Sequence, residues 1–527
     1  MNTFYAHRGM VVAPHHLAAQ AGLNVLHDGG NAIEAAIATA AAIAVVYPHM
    51  NSLGGDNFWL IADDATPIGI DACGAAAARA DADFYRGQGY RTIPTRGPLA
   101  ALTVAGVVAG WQAALELSTR WGGRLPVARL LADAIAYARA GFAVTGTQAA
   151  NTATKHDELR GVPGFAATFL ANGAAPAVGS RFVQPTLAAT LEQLGRAGLD
   201  DFYRGAIADA IGRDLAACGS PLAGADLAAH RARAVEPLAV RLKSGTVYNM
   251  PPPTQGLASL MILGLFDRLT VAAPETFAFV HGLVECTKEA FRVRDNYITD
   301  PAYMKVDPGA FLKPAYLDQT AVIVDMERAA PFGGMPAKGD TVWFGAIDGA
   351  GRTVSAIQSI YWEFGSGVVL PQTGITWQNR GVSFSLEPGA VNELKPGRRP
   401  FHTIQPAFAH LDDGRRMVYG TMGGDGQPQT QAMVYARHVR FGQDLAQAIA
   451  APRWVLGRTW GTAVSNLRIE SRLDAGVIDR LRKVGQDVAV VEPMTEIMGH
   501  AGAIVHRSDG IIYGASDPRG DGIAAGF

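Results

Sequence analysis

Two patterns of apolar and polar positions divide this chain. Up to about residue 300, apolar residues recur mostly every third or fourth place, the spacing of helices with one buried face. Residues 17–26 and 32–46 read as alanine-rich helices, with Asp28-Gly29-Gly30-Asn31 as the stop and restart between them. Asn31 is placed to cap the second helix by accepting from its first-turn amides, and Glu34 there suits the helix dipole. Helical spacing returns at 107–119, 127–140, 184–195 and 199–218, so residues 100–300 are expected to form a largely helical half. A strand is expected at 58–62. The proline-rich turn through Pro251-Pro252-Pro253 leads into a helix at 257–269. After residue 341 short β-branched and aromatic runs alternate with glycine turns, predicting strands at 342–347, 353–361, 407–410, 416–419, 488–491, 503–506 and 511–513. Helices are expected at 429–441, 445–450 and 475–484. Strands and helices gathered around one core predict an α+β layered sandwich.

The junction of the two patterns is the informative stretch. Residues 330–339 carry the glycine, proline and charge of a loop, whereas Val342 to Ile347 is apolar and aromatic. Thr341 therefore stands at the mouth of a hairpin, beside a loop that can be cut. Alone, a threonine there merely opens a strand. Cutting between Asp340 and Thr341 would free an α-amine, which titrates near pH ~7.7–8.0 and can act as a base beside the hydroxyl. That is the N-terminal-threonine route to covalent catalysis, so Thr341 is the candidate nucleophile. Gly423-Gly424 lies between a strand and a helix, where two successive N–H groups can face one oxygen, as in an oxyanion hole. The rival phosphate-cradling loop lacks its Gly-Lys-Ser/Thr ending, and no zinc-protease or serine-elbow motif occurs.

Composition narrows the partners. With 527 residues, 49% hydrophobic, the chain is long enough for roughly two to four domains, and a net charge of −2 gives no reason to expect nucleic acid. Cys73, Cys218 and Cys286 suit neither a disulfide framework nor a zinc site. No metal or other cofactor is called for. The first residues lack the basic start and apolar core of an export signal, and the longest apolar run is too short for a bilayer. A cytoplasmic protein without a membrane partner is expected. The histidines and the pairs Arg398-Arg399 and Arg415-Arg416 read as structural or solvated.

Ordered blocks along the whole chain resemble the γ-glutamyltransferase family of self-cleaving N-terminal nucleophile hydrolases. They are Gly9-Met10-Val11-Val12-Ala13, Gly29-Gly30-Asn31-Ala32, Gly54-Gly55 before Phe58, Phe364-Gly365-Ser366-Gly367, Gly420-Thr421-Met422-Gly423-Gly424 and Tyr513-Gly514-Ala515-Ser516-Asp517-Pro518-Arg519. The resemblance implies a four-layer αββα sandwich and two autoprocessed segments, 1–340 and 341–527, held as a heterodimer whose further pairing stays open. It implies Thr341 as nucleophile and base, Ser359 as the supporting hydroxyl, and Gly423 and Gly424 as the oxyanion hole. It also brings the loop 251–253 near the site, the alternative being a plain surface connector.

The substrate pocket departs from the family. At positions where relatives hold the glutamyl α-amine and α-carboxylate, this chain has Cys73 for an arginine, Tyr361 for an asparagine, Ser383 for an aspartate and His402-Thr403 for two serines. Arg380 stands where a neutral residue is usual. Such a pocket has no evident carboxylate for an ammonium group and keeps a cation, shortened by Tyr361. A small acid amide fits it better than a γ-glutamyl peptide. The substitutions resemble the branch containing oxamate amidohydrolase of purine nitrogen catabolism, which implies splitting of oxamate to oxalate and ammonia. A γ-glutamyl transferase or hydrolase, a cephalosporin-type acylase, and an uncut binding protein stay open as alternatives.

Overall fold

A computed structural model describes residues 2–333, 340–457 and 465–527. The alanine-rich run folds as the helix Ala32–Val46, with every residue buried. A helix apolar on all sides belongs inside a layered core. It begins as the sequence suggests: Asn31 Oδ1 accepts from the amides of Ile33 and Glu34 at 3.0 and 3.1 Å, and the Glu34 carboxylate accepts from Asn31 N at 2.9 Å. Asn31 Nδ2 also donates to Ser118 Oγ at 2.7 Å, so the cap ties two helices together. Asn31→Ala is expected to lower stability by about 1–2 kcal/mol, seen as a lower melting midpoint with specific activity unchanged. A midpoint equal to wild type would contradict this.

Two antiparallel seven-stranded sheets form the centre. One runs Phe4–Ala6, Ile512–Ser516, Ala501–His506, Arg416–Thr421, Ala407–Leu411, Gly245–Asn249, Leu238–Leu242. The other runs Ile523–Gly526, Gly9–Ala13, Asp340–Asp348, Thr353–Tyr361, Asp56–Ala62, Ile68–Asp71, Arg233–Val235. The sheets face each other across a dry layer that includes Met10, Phe58, Trp343, Ile357, Phe408 and Val418. Helices His16–His27, Ala32–Val46 and Val107–Arg120 cover the second sheet, Gly256–Phe266 and Gly426–Tyr435 cover the first, and Phe277–Tyr297 packs on that last pair. This is the αββα sandwich. Strands from before and after residue 340 are interleaved in both sheets. Among the described residues no helix is long and apolar enough to cross a membrane.

The half expected to be largely helical also supplies three short strands to the central sheets, Arg233–Val235, Leu238–Leu242 and Gly245–Asn249, and a two-stranded pair, Phe142–Ala143 with Arg181–Phe182. The expected helix 199–218 breaks at Gly205 into Asp201–Arg204 and Ala206–Cys218, because the Asp201 carboxylate takes the Ala206 amide at 3.0 Å. Arg416 is buried rather than solvated, reaching Asp64 at 2.8 Å, and Arg415 pairs with Asp413 at 2.7 Å.

Candidate active site

The hairpin Asp340–Asp348 and Thr353–Tyr361 loses its regular register at its open end. Val342 faces Gln358 while Asp340 faces Tyr361, so the ladder is irregular at Thr341. Such an irregularity re-aims a side chain. Thr341 is fully buried, and its hydroxyl donates to Ser359 Oγ at 3.3 Å. Ser359 Oγ also accepts the Tyr361 amide at 2.8 Å. Tyr361 itself has φ of 82°, unusual for a bulky residue and a sign of local strain. The segment 334–339 and the Asp340 side chain, part of the expected cleavage site, lie outside the described residues.

Gly423 and Gly424, on the turn after Arg416–Thr421, have φ of 120° and 49°. Side chains rarely adopt the first of these, which explains glycine there. The turn feeds directly into the helix Gly426–Tyr435, with Gly426 N donating to Gly423 O at 2.6 Å. Its far side is held by a buried network. Gln255 Nε2 donates to the carbonyls of Gly424 and Thr403, both at 2.8 Å. Arg294 Nη1 donates to Gln255 Oε1 at 2.9 Å and to Asp425 Oδ1 at 2.7 Å. One amide thus fixes both the glycine turn and the loop carrying His402 and Thr403. Gln255→Leu is expected to lower kcat by roughly 10–100-fold with less change in KM, because it frees both loops. Steady-state kinetics checks this; an unchanged kcat would contradict it.

Arg380 opens the short turn Arg380–Ser383 and is 1% exposed. Its guanidinium lies 3.8 Å above the Tyr361 ring, and Nη1 donates to Thr403 Oγ1 at 3.3 Å. Nε and Nη2 are buried with no hydrogen-bond partner among the described residues. Burial pushes its pKa down to about 10, which leaves it charged at neutral pH. His402 is fully buried, and burial, with Arg380 and Arg399 nearby, holds it well below the usual range and so neutral. Ser383 Oγ is buried without a partner among the described residues. The proline-rich loop packs here: Pro253 O accepts from His402 N and His402 O from Gln255 N, both at 2.9 Å. It is not a surface connector.

The structure corrects the expectation that no carboxylate faces this pocket. Asp56, the first residue of Asp56–Ala62, is fully buried with Oδ2 3.5 Å from His402 Nε2. Burial pushes its carboxyl up to about 7, against the pull of the Gly74 and Gly106 amides and the Arg380 charge. Arg399 is a second correction. It is not solvated but bridges Asp71 at 2.5 Å and Asp300 at 2.9 Å, while Arg398 is buried over the Tyr303 ring. Cys73 lies buried beside this bridge, its amide bonded to Asp71 Oδ1 at 3.0 Å. Among the described residues no cluster of histidine, cysteine and carboxylate side chains is placed to hold a metal.

Contacts therefore link Thr341 to Ser359, Ser359 to Tyr361, Tyr361 to Arg380 and Arg380 to Thr403, and Gln255 joins Thr403 to Gly424. A buried threonine hydroxyl, a glycine turn and a buried cation are thereby brought together. Asp56, Gln255 and Arg294 were not among the residues singled out from the sequence. The signal for Asp56 is a charged residue directly after Gly54-Gly55 in a strand otherwise apolar enough to be buried.

The family described as Gamma-glutamyltranspeptidase matches residues 18–527. The oxamate amidohydrolase proenzyme of Klebsiella pneumoniae is 55% identical over 521 residues, 98% of each protein. The glutathione hydrolase-like YwrD proenzyme of Bacillus subtilis is 40% identical, again over 98% of each. The crystal structure of a cephalosporin acylase from Bacillus halodurans superposes with a TM-score of 0.92 at 34% identity, covering 100% of this chain and 97% of that one.

Proposed function

The chain belongs to the gamma-glutamyltranspeptidase family, and from that premise we propose that it is an autoprocessing amidohydrolase that splits a small acid amide, oxamate first among them, into the acid and ammonia. The observation that carries this reading is Arg380: a buried, charged guanidinium with two nitrogens that have no partner among the described residues, stacked on Tyr361, whose amide bonds the Ser359 hydroxyl next to Thr341. A planar fork of this kind matches a carboxylate. The 55% identity to an oxamate amidohydrolase supports the same substrate.

In the uncut chain the nitrogen of Thr341 is an amide and cannot serve as a base. Attack of the Thr341 hydroxyl on the Asp340 carbonyl gives an ester, which water resolves into segments 1–340 and 341–527. The freed α-amine then takes the hydroxyl proton as Thr341 attacks the substrate amide. Gly423 and Gly424 N–H groups stabilise the oxyanion, and Ser359 orients the nucleophile. The amine returns the proton to the leaving nitrogen, ammonia departs, and water releases the acid from the threonine ester. Strands from both segments share both sheets, so the cut halves remain one heterodimer. A cytoplasmic setting accords with Cys73, Cys218 and Cys286 as free thiols.

Ammonia release from oxamate, set beside hydrolysis of a chromogenic γ-glutamyl anilide, tests the reading. Faster turnover of oxamate is expected. Turnover of the anilide alone would replace the proposal with γ-glutamyl transfer or hydrolysis.

A further inference from the structure

Arg380 and Asp56 are buried and opposite in charge, Arg380 Nη1 bonding Thr403 Oγ1 at 3.3 Å and Asp56 lying 3.5 Å from the adjacent His402, and the Arg380 charge acts on Asp56. Asp56 is only partly satisfied. Its Oδ1 accepts the amides of Gly74 at 2.9 Å and Gly106 at 3.1 Å and Gln378 lies close enough to its carboxyl to favour the charged form, whereas Oδ2 has no hydrogen-bond partner within 3.5 Å among the described residues. Arg380 is likewise half-satisfied, with Thr403 on Nη1 and, among the described residues, no partner on Nε or Nη2. Each keeps a free side in a region without solvent access. A carboxylate arriving at Arg380 would bring a second anion beside Asp56, and two buried carboxylates sharing one cation cannot both stay ionised at neutral pH.

We propose that Asp56 is the displaceable counter-charge of Arg380, and that a small monocarboxylate enters the pocket together with a proton from solvent that Asp56 takes up. This rests on the reading of Arg380 as the carboxylate-binding group. No bond other than the O–H on Asp56 forms or breaks. The other groups facing Asp56 favour the exchange. His402, from the loop before Ala407–Leu411, is held neutral, and its Nε2 lies 3.5 Å away, close enough to accept from a protonated Asp56 after a small shift. Cys73 follows Ile68–Asp71, and burial keeps its thiol protonated. Tyr203 on Asp201–Arg204 stays neutral, its hydroxyl donated to Ala105 O at 2.9 Å. Arg399 is occupied by Asp71 and Asp300. Among the described side chains beside Arg380, Asp56 is thus the one free to change charge, and the α-amine that processing frees on Thr341, which titrates near pH ~7.7–8.0, is the second titrating group at the site.

The sign follows from the position of Asp56 near neutrality. Below about pH 7 Asp56 is neutral, Arg380 is uncompensated, and a monocarboxylate binds with constant affinity. As pH rises above that value Asp56 ionises, and affinity falls by up to about tenfold per pH unit until the bound-state pKa is passed. Uncharged amides escape the effect.

The test is calorimetric titration of the processed enzyme with pyruvate, which keeps the carboxylate and carbonyl of oxamate and lacks the amide. It is run at about pH 8 in buffers of different ionisation heat, alongside KM for oxamate across pH. Wild type is expected to take up between about half and one proton per ligand bound. Asp56→Asn is expected to take up at least about half a proton fewer than wild type, with a flatter KM profile and tighter binding than wild type at high pH. Binding by wild type without proton uptake overturns the role of Asp56 and leaves the Arg380 reading intact, as does uptake undiminished in Asp56→Asn. Absence of binding by pyruvate and oxamate alike overturns both. Should Asp56→Asn fail to fold, Asp56→Ser is measured in its place.

Discussion

Thr341→Ala is expected to remain a single chain and to lose amidase activity by roughly 10⁴-fold or more, because it removes nucleophile, processing hydroxyl and eventual base together. Thr341→Ser keeps the hydroxyl and should still be cut, more slowly, with measurable turnover. Ser359→Ala should lie between, since the hydroxyl 3.3 Å from Thr341 Oγ1 orients but does not react. Gel separation of the segments and ammonia release check all three. Retained activity in Thr341→Ala would remove Thr341 from the chemistry.

The second large effect is at Arg380. Arg380→Met removes a charged fork while keeping a chain that can lie on the Tyr361 ring. Two charge-assisted hydrogen bonds to a carboxylate contribute about 1.5–3 kcal/mol each, so kcat/KM for oxamate should fall by roughly 10²–10⁴-fold, with most of the loss in KM. Arg380→Lys should recover only part, because an ammonium is a point charge without the planar fork. Oxamide, the same molecule with its carboxylate replaced by an amide, should be affected far less. An equal loss for both amides would mean that Arg380 supports the fold and not the substrate. Asp56 would be left without its partner in Arg380→Met and is expected to protonate, which limits the cost in stability.

The parts of the fold legible in the sequence are those where local pattern and burial agree. Ala32–Val46 and Thr353–Tyr361 have the predicted bounds, since each is buried from end to end and preceded by turn residues. The helix Phe277–Tyr297 was not foreseen because its buried positions include Glu285, Lys288 and Arg294, which erase the apolar stripe. Those charges need distant partners as well as near ones: Lys288 bonds Ala330 O besides Glu285 on the same helix, and Arg294 bonds Asp425 and Gln255 besides Asp295. The strands between residues 233 and 249 are three to five residues long; Arg233–Val235 and Gly245–Asn249 pair with strands from elsewhere in the chain, and Leu238–Leu242 pairs with Gly245–Asn249.

The site divides in the same way. Thr341, Ser359 and the glycine pair were named from the sequence, and they sit on a hairpin and a turn whose geometry is local. Arg380, Tyr361 and Thr403 were also named, and contacts connect them. Asp56 and Arg399 were misjudged or passed over because their electrostatic setting is assembled from segments far apart. Asp56 meets amides from residues 74 and 106 and the side chain of His402, and Arg399 meets carboxylates from residues 71 and 300. Sequence spacing carries no trace of such meetings.

The most direct measurement is the intact mass of the purified wild-type protein with N-terminal sequencing of its smaller piece, followed by an ammonia assay of the same sample with oxamate. Two pieces, the smaller beginning at Thr341, with ammonia released from oxamate, is the predicted result. A single intact chain, or a processed protein that leaves oxamate untouched while hydrolysing other amides, would contradict the account.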